Sequence, residues 1–202
     1  MDKRQAPGQD ESVLPQPADF REHLRHVASR DVNADTAAWR EHLAGIDEPT
    51  LVAGPAPLAE PVPQLVTRPL GAELDAAVTA RARELGVSRA TLFHVAWGVT
   101  LQQLTGRDDV VLGSAVTGRD PSVPGAERMV GLALNTVAAR LSTRPHQTVR
   151  DVVRRAFAQQ GAMSAHHRAG LGEIQRAAGH ATLFDTLVVH RNTAMDREDP
   201  NG

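Results

Sequence analysis

An α/β protein, with a mixed sheet packed by helices, is predicted by three features of the 202-residue chain. Segments with helical spacing alternate with short apolar runs of strand length. Two of those runs, Asp109–Thr117 and Val130–Leu141, are apolar almost throughout, as strands covered on both faces tend to be. The core has to be built from Val, Leu and Ala, because aromatic residues make up 3% of the chain and tyrosine is absent.

Residues 1–17 are polar and punctuated by proline, and we expect a disordered leader there. From Ala18 to Ser29 a helical pattern places Phe20, Leu24 and Val27 on one side. Asp35 is expected to cap a second helix running to about Leu43, with Trp39 on its inner face and Gly45 stopping it. Pro49 to Pro63 holds five prolines and reads as an ordered connector or a tether. Gln64–Thr67 follows as a short strand. Leu74, Val78 and Leu85 then recur at helical spacing, with Gly86 as the stop. Ser88 caps the next helix, Ala90 to Leu104, which is apolar nearly all round and is therefore expected to be central and buried; Gly106 ends it.

Asp109–Thr117 reads as a buried strand, 118–128 as a Gly/Pro loop, and Val130–Leu141 as a strand apolar enough for the sheet centre. Thr148 with Asp151 forms a capping box that opens a helix whose stripe is Val149, Val152, Val153, Ala156 and Phe157. A short helix at Leu171–Ala177 and a last strand at Phe184–Val189 complete one domain, 18–193. Residues 194–202 read as a frayed tail.

Composition narrows the function. Twenty-two basic against twenty-four acidic residues give a net charge of −2, which argues against a general footprint for nucleic acid or anionic membrane. With no cysteine there are no disulfides, thiolate metal sites or cysteine nucleophile. No apolar run approaches a membrane span, and the polar start is no signal peptide, so a cytoplasmic location is expected. No glycine-rich phosphate loop or Gly-x-Ser-x-Gly elbow is present. His23, His26 and His42 have no acidic ligand placed with them and read as a solvated face. His94 reads as a hydrogen-bonded core or cleft residue, and Asp108 and Asp109 as turn residues.

Four strings stand in order: TLFHVAWGVTLQQLTGRDDVVLGSAVTGRD (91–120), VPGAERMVGLALNTVAAR (123–140), AHHRAGLGEIQ (165–175) and LFDTLVVHRNT (183–193). Together they resemble the C-terminal half of a nonribosomal peptide synthetase condensation domain. The resemblance implies one chloramphenicol-acetyltransferase-like lobe of a two-lobed, V-shaped fold. It implies amide bond formation between acyl or aminoacyl thioesters that carrier proteins deliver on phosphopantetheine arms, with no cofactor bound by the chain itself.

The family's catalytic HHxxxDG motif belongs to the N-terminal lobe, for which the seventeen residues before Ala18 are too few. A truncated protein, inactive alone and needing a partner lobe, is therefore expected. A carrier-docking or scaffold module is the alternative, as is a self-assembled dimeric enzyme using His166 or His167. These two histidines sit in HHRAGLG, where leucine replaces the motif's aspartate; the string is either a relic active site or the family's downstream histidine motif. A histidine titrating near neutrality suits the general base that amide formation needs.

At the family's asparagine stands Asn135, with Thr136 beside it; the pair either bonds across the sheet end or lines the substrate tunnel. Arg119 is expected to pair with Asp109, Asp120 or Glu127, or else with a phosphopantetheine phosphate. In the resemblance, His190 stands where the family usually has an aromatic residue, near the end of the last strand, and it is either structural or faces the cleft. A single lobe should leave apolar surface uncovered, so a homodimer is expected.

Overall fold

The computed structural model describes residues 17–53, 62–120 and 122–191. Six helices run α1 (Phe20–Ala28), α2 (Val32–His42), α3 (Ala72–Leu85), α4 (Arg89–Thr105), α5 (Val149–Met163) and α6 (Leu171–Ala177). Three strands, β1 (Asp109–Thr117), β2 (Leu134–Ser142) and β3 (Leu187–Val188), form a mixed sheet in the order β2-β1-β3. The expected leader and tail, and most of the proline-rich connector, lie outside the described residues.

β1 takes the centre. It pairs antiparallel with β2 from Asp109–Ser142 to Thr117–Leu134, and parallel with β3 at Gly113 and Ser114. Alternation along β1 feeds two cores. Val111 packs with Trp39, Leu43, Ile174 and Leu183 from the α2 and α6 side. Val110 and Leu112 pack with Leu85, Val95, Leu101, Val152 and Val153 from α3, α4 and α5. The sheet is thus covered by helices on both faces, as an α/β sandwich requires.

Several sequence expectations hold in place. Ser88 caps α4 through the amide of Thr91, Thr148 and Asp151 form the capping box of α5, and Gly86 and Gly106 close their helices in the left-handed conformation. β1 and α6 span the predicted residues.

Others are corrected. Asp31, not Asp35, caps α2, because its carboxylate accepts from the amides of Asn33 and Ala34. On α1 the buried residue is His23, while Leu24 is exposed. Gln64–Thr67 forms no strand; two flanking prolines and a 93% exposed Leu65 mark a segment without a pairing partner among the described residues. β2 begins at Leu134, four residues late, since β1 ends opposite it at Thr117, and it lies at the edge of the sheet. α4 is not buried all round: Ala96, Val99 and Leu104 are exposed. On α5, Val149 and Phe157 are also exposed, leaving Val152, Val153, Ala156 and Met163 as its inner stripe.

The last strand shrinks to two residues because its first half is used elsewhere. Phe184 bridges to Thr50, and Asp185 accepts from the amides of Val52 and Ala53 at 2.7 Å each. The amide of Val111, on β1 beyond the reach of β3, donates to the hydroxyl oxygen of the fully buried Thr50 at 2.8 Å. Asp109 opens β1 and pairs with Arg140 at 2.6 Å, so it is a strand residue and not a turn residue. No helix among the described residues is long and apolar enough to cross a membrane.

Candidate functional site

The histidine pair lies where α5 runs out. A 3-10 turn at Ser164–His166 continues α5, and the chain then turns through Arg168 into α6. Two polar networks reach this turn from α1 and α2. In the first, the Arg30 guanidinium donates to both oxygens of Glu173 at 2.6 and 2.7 Å and to Asp35 at 3.0 Å. The other oxygen of Asp35 stands 2.7 Å from His166 Nδ1. A carboxylate only accepts, so Nδ1 carries hydrogen, and in the neutral ring Nε2 is the free acceptor. Burial works to raise the Asp35 carboxyl, but His166 and Arg30 outweigh it and hold the group below the usual carboxylate range. The backbone amide of Gly170 and then Arg30 hold Glu173 low as well.

In the second network His26 Nε2 lies 2.8 Å from Asp120, whose carboxylate also faces Arg168 at 3.5 Å. Hydrogen bonds from Ser122, with His26 adding to them, push the Asp120 carboxyl far below its ordinary value. The solvated histidine face expected of α1 and α2 is therefore overturned: His23 is buried, His26 is paired with Asp120, and His42 is partly buried. No group of three metal-ligating side chains occurs among the described residues.

Asn135 joins this region. Its amide donates to the carbonyl oxygens of His167 at 2.7 Å and Ala169 at 2.8 Å, while its own oxygen accepts from the amide of Thr136 at 2.9 Å. The side chain thus fastens the start of β2 to the turn that carries the histidines. Thr136 is half-buried opposite Ala115.

The Arg119 guanidinium makes none of the expected carboxylate pairs. It donates to the carbonyl oxygens of Ala126, Met129 and Gly131, closing the loop between β1 and β2, while Asp109 is taken by Arg140. Arg119 and His167 share the wall of a groove of about 360 Å³ with Thr117, Asp120, Ser164 and Arg168. Burial lowers the His167 imidazole, and neighbouring His166 adds to that, so the ring is uncharged at neutral pH. His190 stands apart, its ring 5.5 Å from that of Phe93 on α4.

The structure therefore gathers His166, His167, Asn135 and Arg119 around one turn, leaving His190 elsewhere. Sequence reading missed Asp35, Arg30 and Glu173 as a partly buried chain ending on His166. One local signal was available: Asp31 is a better-placed cap, which leaves Asp35 one turn into the helix with no capping duty. The arrangement presents one imidazole held by direct contact with a buried carboxylate, as a general base can be oriented by a third group.

Comparison with known proteins agrees with this architecture. The model of the condensation-domain family matches residues 5–201. Chondramide synthase cmdD of Chondromyces crocatus is 31% identical over 185 residues, 89% of this chain and 5% of that protein. Vanchrobactin synthetase VabF of Vibrio anguillarum is 31% identical over 172 residues, 84% of this chain and 6% of that protein. The first condensation domain of the CDA synthetase superposes with a TM-score of 0.68 at 23% identity, over 84% of this chain and 37% of that one. The crystal structure of holo T3CT superposes with a TM-score of 0.67 at 25% identity, over 90% and 41%. The chain thus spans about two-fifths of the solved chains and about a twentieth of the two synthetases. A match over nearly all its residues, carried by the same helix-covered sheet, makes the chain a member of the condensation-domain family.

Proposed function

We propose that the chain is the C-terminal lobe of a condensation domain in nonribosomal peptide biosynthesis. With a second lobe it joins acyl and aminoacyl thioesters, presented on the phosphopantetheine arms of carrier proteins, through an amide bond. The observation that carries this reading is the family match over residues 5–201 in a chain whose 202 residues contain no HHxxxDG. Asn135 and Arg119 then act by shaping the turn and the loop that border the groove, with Thr136 beside them, and His190 is structural. Carrier proteins and other synthetase modules are the partners, and the site of action is the cytoplasm.

The test is amide formation on two loaded carrier proteins, read by mass spectrometry, with and without a separately expressed N-terminal condensation lobe. The chain alone is expected to give no product above background, and the pair is expected to give it.

A second reading rests on the Asp35–His166 contact at 2.7 Å. In a self-assembled dimer the oriented imidazole becomes the base itself. Turnover by the chain alone, abolished by His166→Ala or His167→Ala, would select that reading over the first.

A further inference from the structure

On the other side of the histidine turn, with His167 on its wall, a second cavity of about 200 Å³ opens between the sheet, α4 and α5. Its walls are largely aliphatic, with Leu112, Val116, Val137 and Leu141 among them. Ser114 of β1 and His94 of α4 also line it, with the serine Oγ 2.8 Å from the imidazole Nε2.

Geometry fixes the direction of that hydrogen bond. His94 Nδ1 lies 2.6 Å from the carbonyl oxygen of Ala90, which only accepts, so Nδ1 bears the hydrogen. Burial, and after it the nearby His190, lower the ring's pKa against the opposing pull of the Ala90 carbonyl. The neutral ring leaves Nε2 bare, and the Ser114 hydroxyl donates to it. A hydroxyl donating to an imidazole whose far nitrogen is anchored is the arrangement that activates a serine.

The cavity also selects its ligand. No carboxylate lines it, and the one guanidinium on its wall, Arg140, is taken up by Asp109 and the carbonyls of His42 and Ala44. A volume of about 200 Å³ falls below the range of roughly 300–1,000 Å³ that houses drug-sized ligands.

We infer that Ser114 and His94 form a nucleophile–base pair that accepts a short, uncharged aliphatic acyl group from an ester or thioester. Ser114 Oγ bonds to the acyl carbon and the carbon–sulfur bond of the thioester breaks. The hydroxyl proton passes to His94 Nε2 and from there to the departing thiolate. The product is an acyl-serine and a free thiol. Neither a partner lobe nor a carrier protein is needed, so this inference stands or falls separately from the condensation reading.

The test uses the full chain incubated with the butyryl thioester of N-acetylcysteamine, followed by intact mass and peptide mapping. One acyl group on Ser114 is expected. Ser114→Ala should abolish it, and His94→Gln should slow it by about a hundredfold or more. Ser114→Cys keeps a nucleophile at the site and is expected to label, which guards against Ser114→Ala failing to fold. A folded wild-type chain that takes up no acyl group overturns the inference, as does an adduct undiminished in Ser114→Ala. Unchanged labelling in His94→Gln removes the base and overturns the pair.

Discussion

Asn135 makes three hydrogen bonds from one side chain, two of them to carbonyls of the turn that carries the histidines. Removing a partner so that buried acceptors are left unpaired costs about 1–3 kcal/mol. Asn135→Ala should therefore lower stability by about that amount in chemical denaturation, and an unchanged midpoint would show that water replaces the amide without cost. The histidines allow a second prediction at this scale. His42, His94 and His167 are all pushed below the usual imidazole value, by burial first in each case. In the unfolded chain they take up protons from about pH 6.5 downward, while the folded chain resists. Their stabilisation is thus complete above about pH 6.5 and is lost as pH falls through the lower folded values. Asp35, Asp120 and Glu173 are held below the carboxylate range, so their contribution is lost only below about pH 4. Melting temperature should fall in two stages on acidification, the first flattened in His42→Asn. A melting temperature level between about pH 7 and pH 5 would contradict it. At this scale the sequence marks out Asn135, His166 and His167 as polar groups needing partners. The partners themselves are distant in sequence, the carbonyls of His167 and Ala169 for Asn135 and Asp35 of α2 for His166, the last more than a hundred residues away, and no local pattern encodes such a pairing.

The join between helix and sheet turns on small residues. Gly98 of α4 faces Leu141 of β2, and a Cβ placed there would lie 2.5 Å from Leu141 Cδ2 and 3.0 Å from its Cβ. An alanine gains up to about 1 kcal/mol of helix propensity over glycine. Overpacking a filled core costs about 1–3 kcal/mol, and Leu141 is buried with its Cβ fixed to the strand. With Leu141 unable to move its Cβ the clash wins, so Gly98→Ala should destabilise by up to about 2 kcal/mol net, the larger overpacking cost less the propensity gain, measured in urea. A stabilised variant would mean that α4 slides outward freely. Element type and position were legible where local chemistry decides them: the caps of α4 and α5, the left-handed stops at Gly86 and Gly106, and the apolar run of β1. Strand ends and buried faces were not. Whether Val130–Ala133 extends depends on how far β1 runs opposite it, and whether Leu24 or His23 turns inward depends on the loop against which α1 packs.

At the scale of the whole molecule, the described residues leave apolar surface bare. Val130, Leu132 and Leu134 are 77%, 83% and 60% exposed, in one run leading into the edge strand β2. Leu187 and Val189 are exposed at the other edge of the sheet. The outer edges of β2 and β3 carry no strand partner among the described residues, and unpaired edges are templates for association. Soluble monomers rarely expose contiguous apolar patches beyond about 300–600 Å². A specific interface buries roughly 800 Å² on each side, and a two-fold axis lets one patch cover itself. With few aromatic anchors available, the contact should be broad and flat. We expect the isolated chain to run as a homodimer, or to bind a second condensation lobe over the same surface. Light scattering after size exclusion, across a dilution series at micromolar concentration, decides between them. A mass near twice 21.6 kDa supports the homodimer, and Leu132→Glu, which sets a charge in the middle of the run, should then shift it toward one chain. A mass of one chain at every dilution, with no binding of an apolar dye, would remove the exposed patch as a contact surface. One chain with dye binding, and with saturable uptake of an added N-terminal lobe, would point instead to the two-lobed assembly.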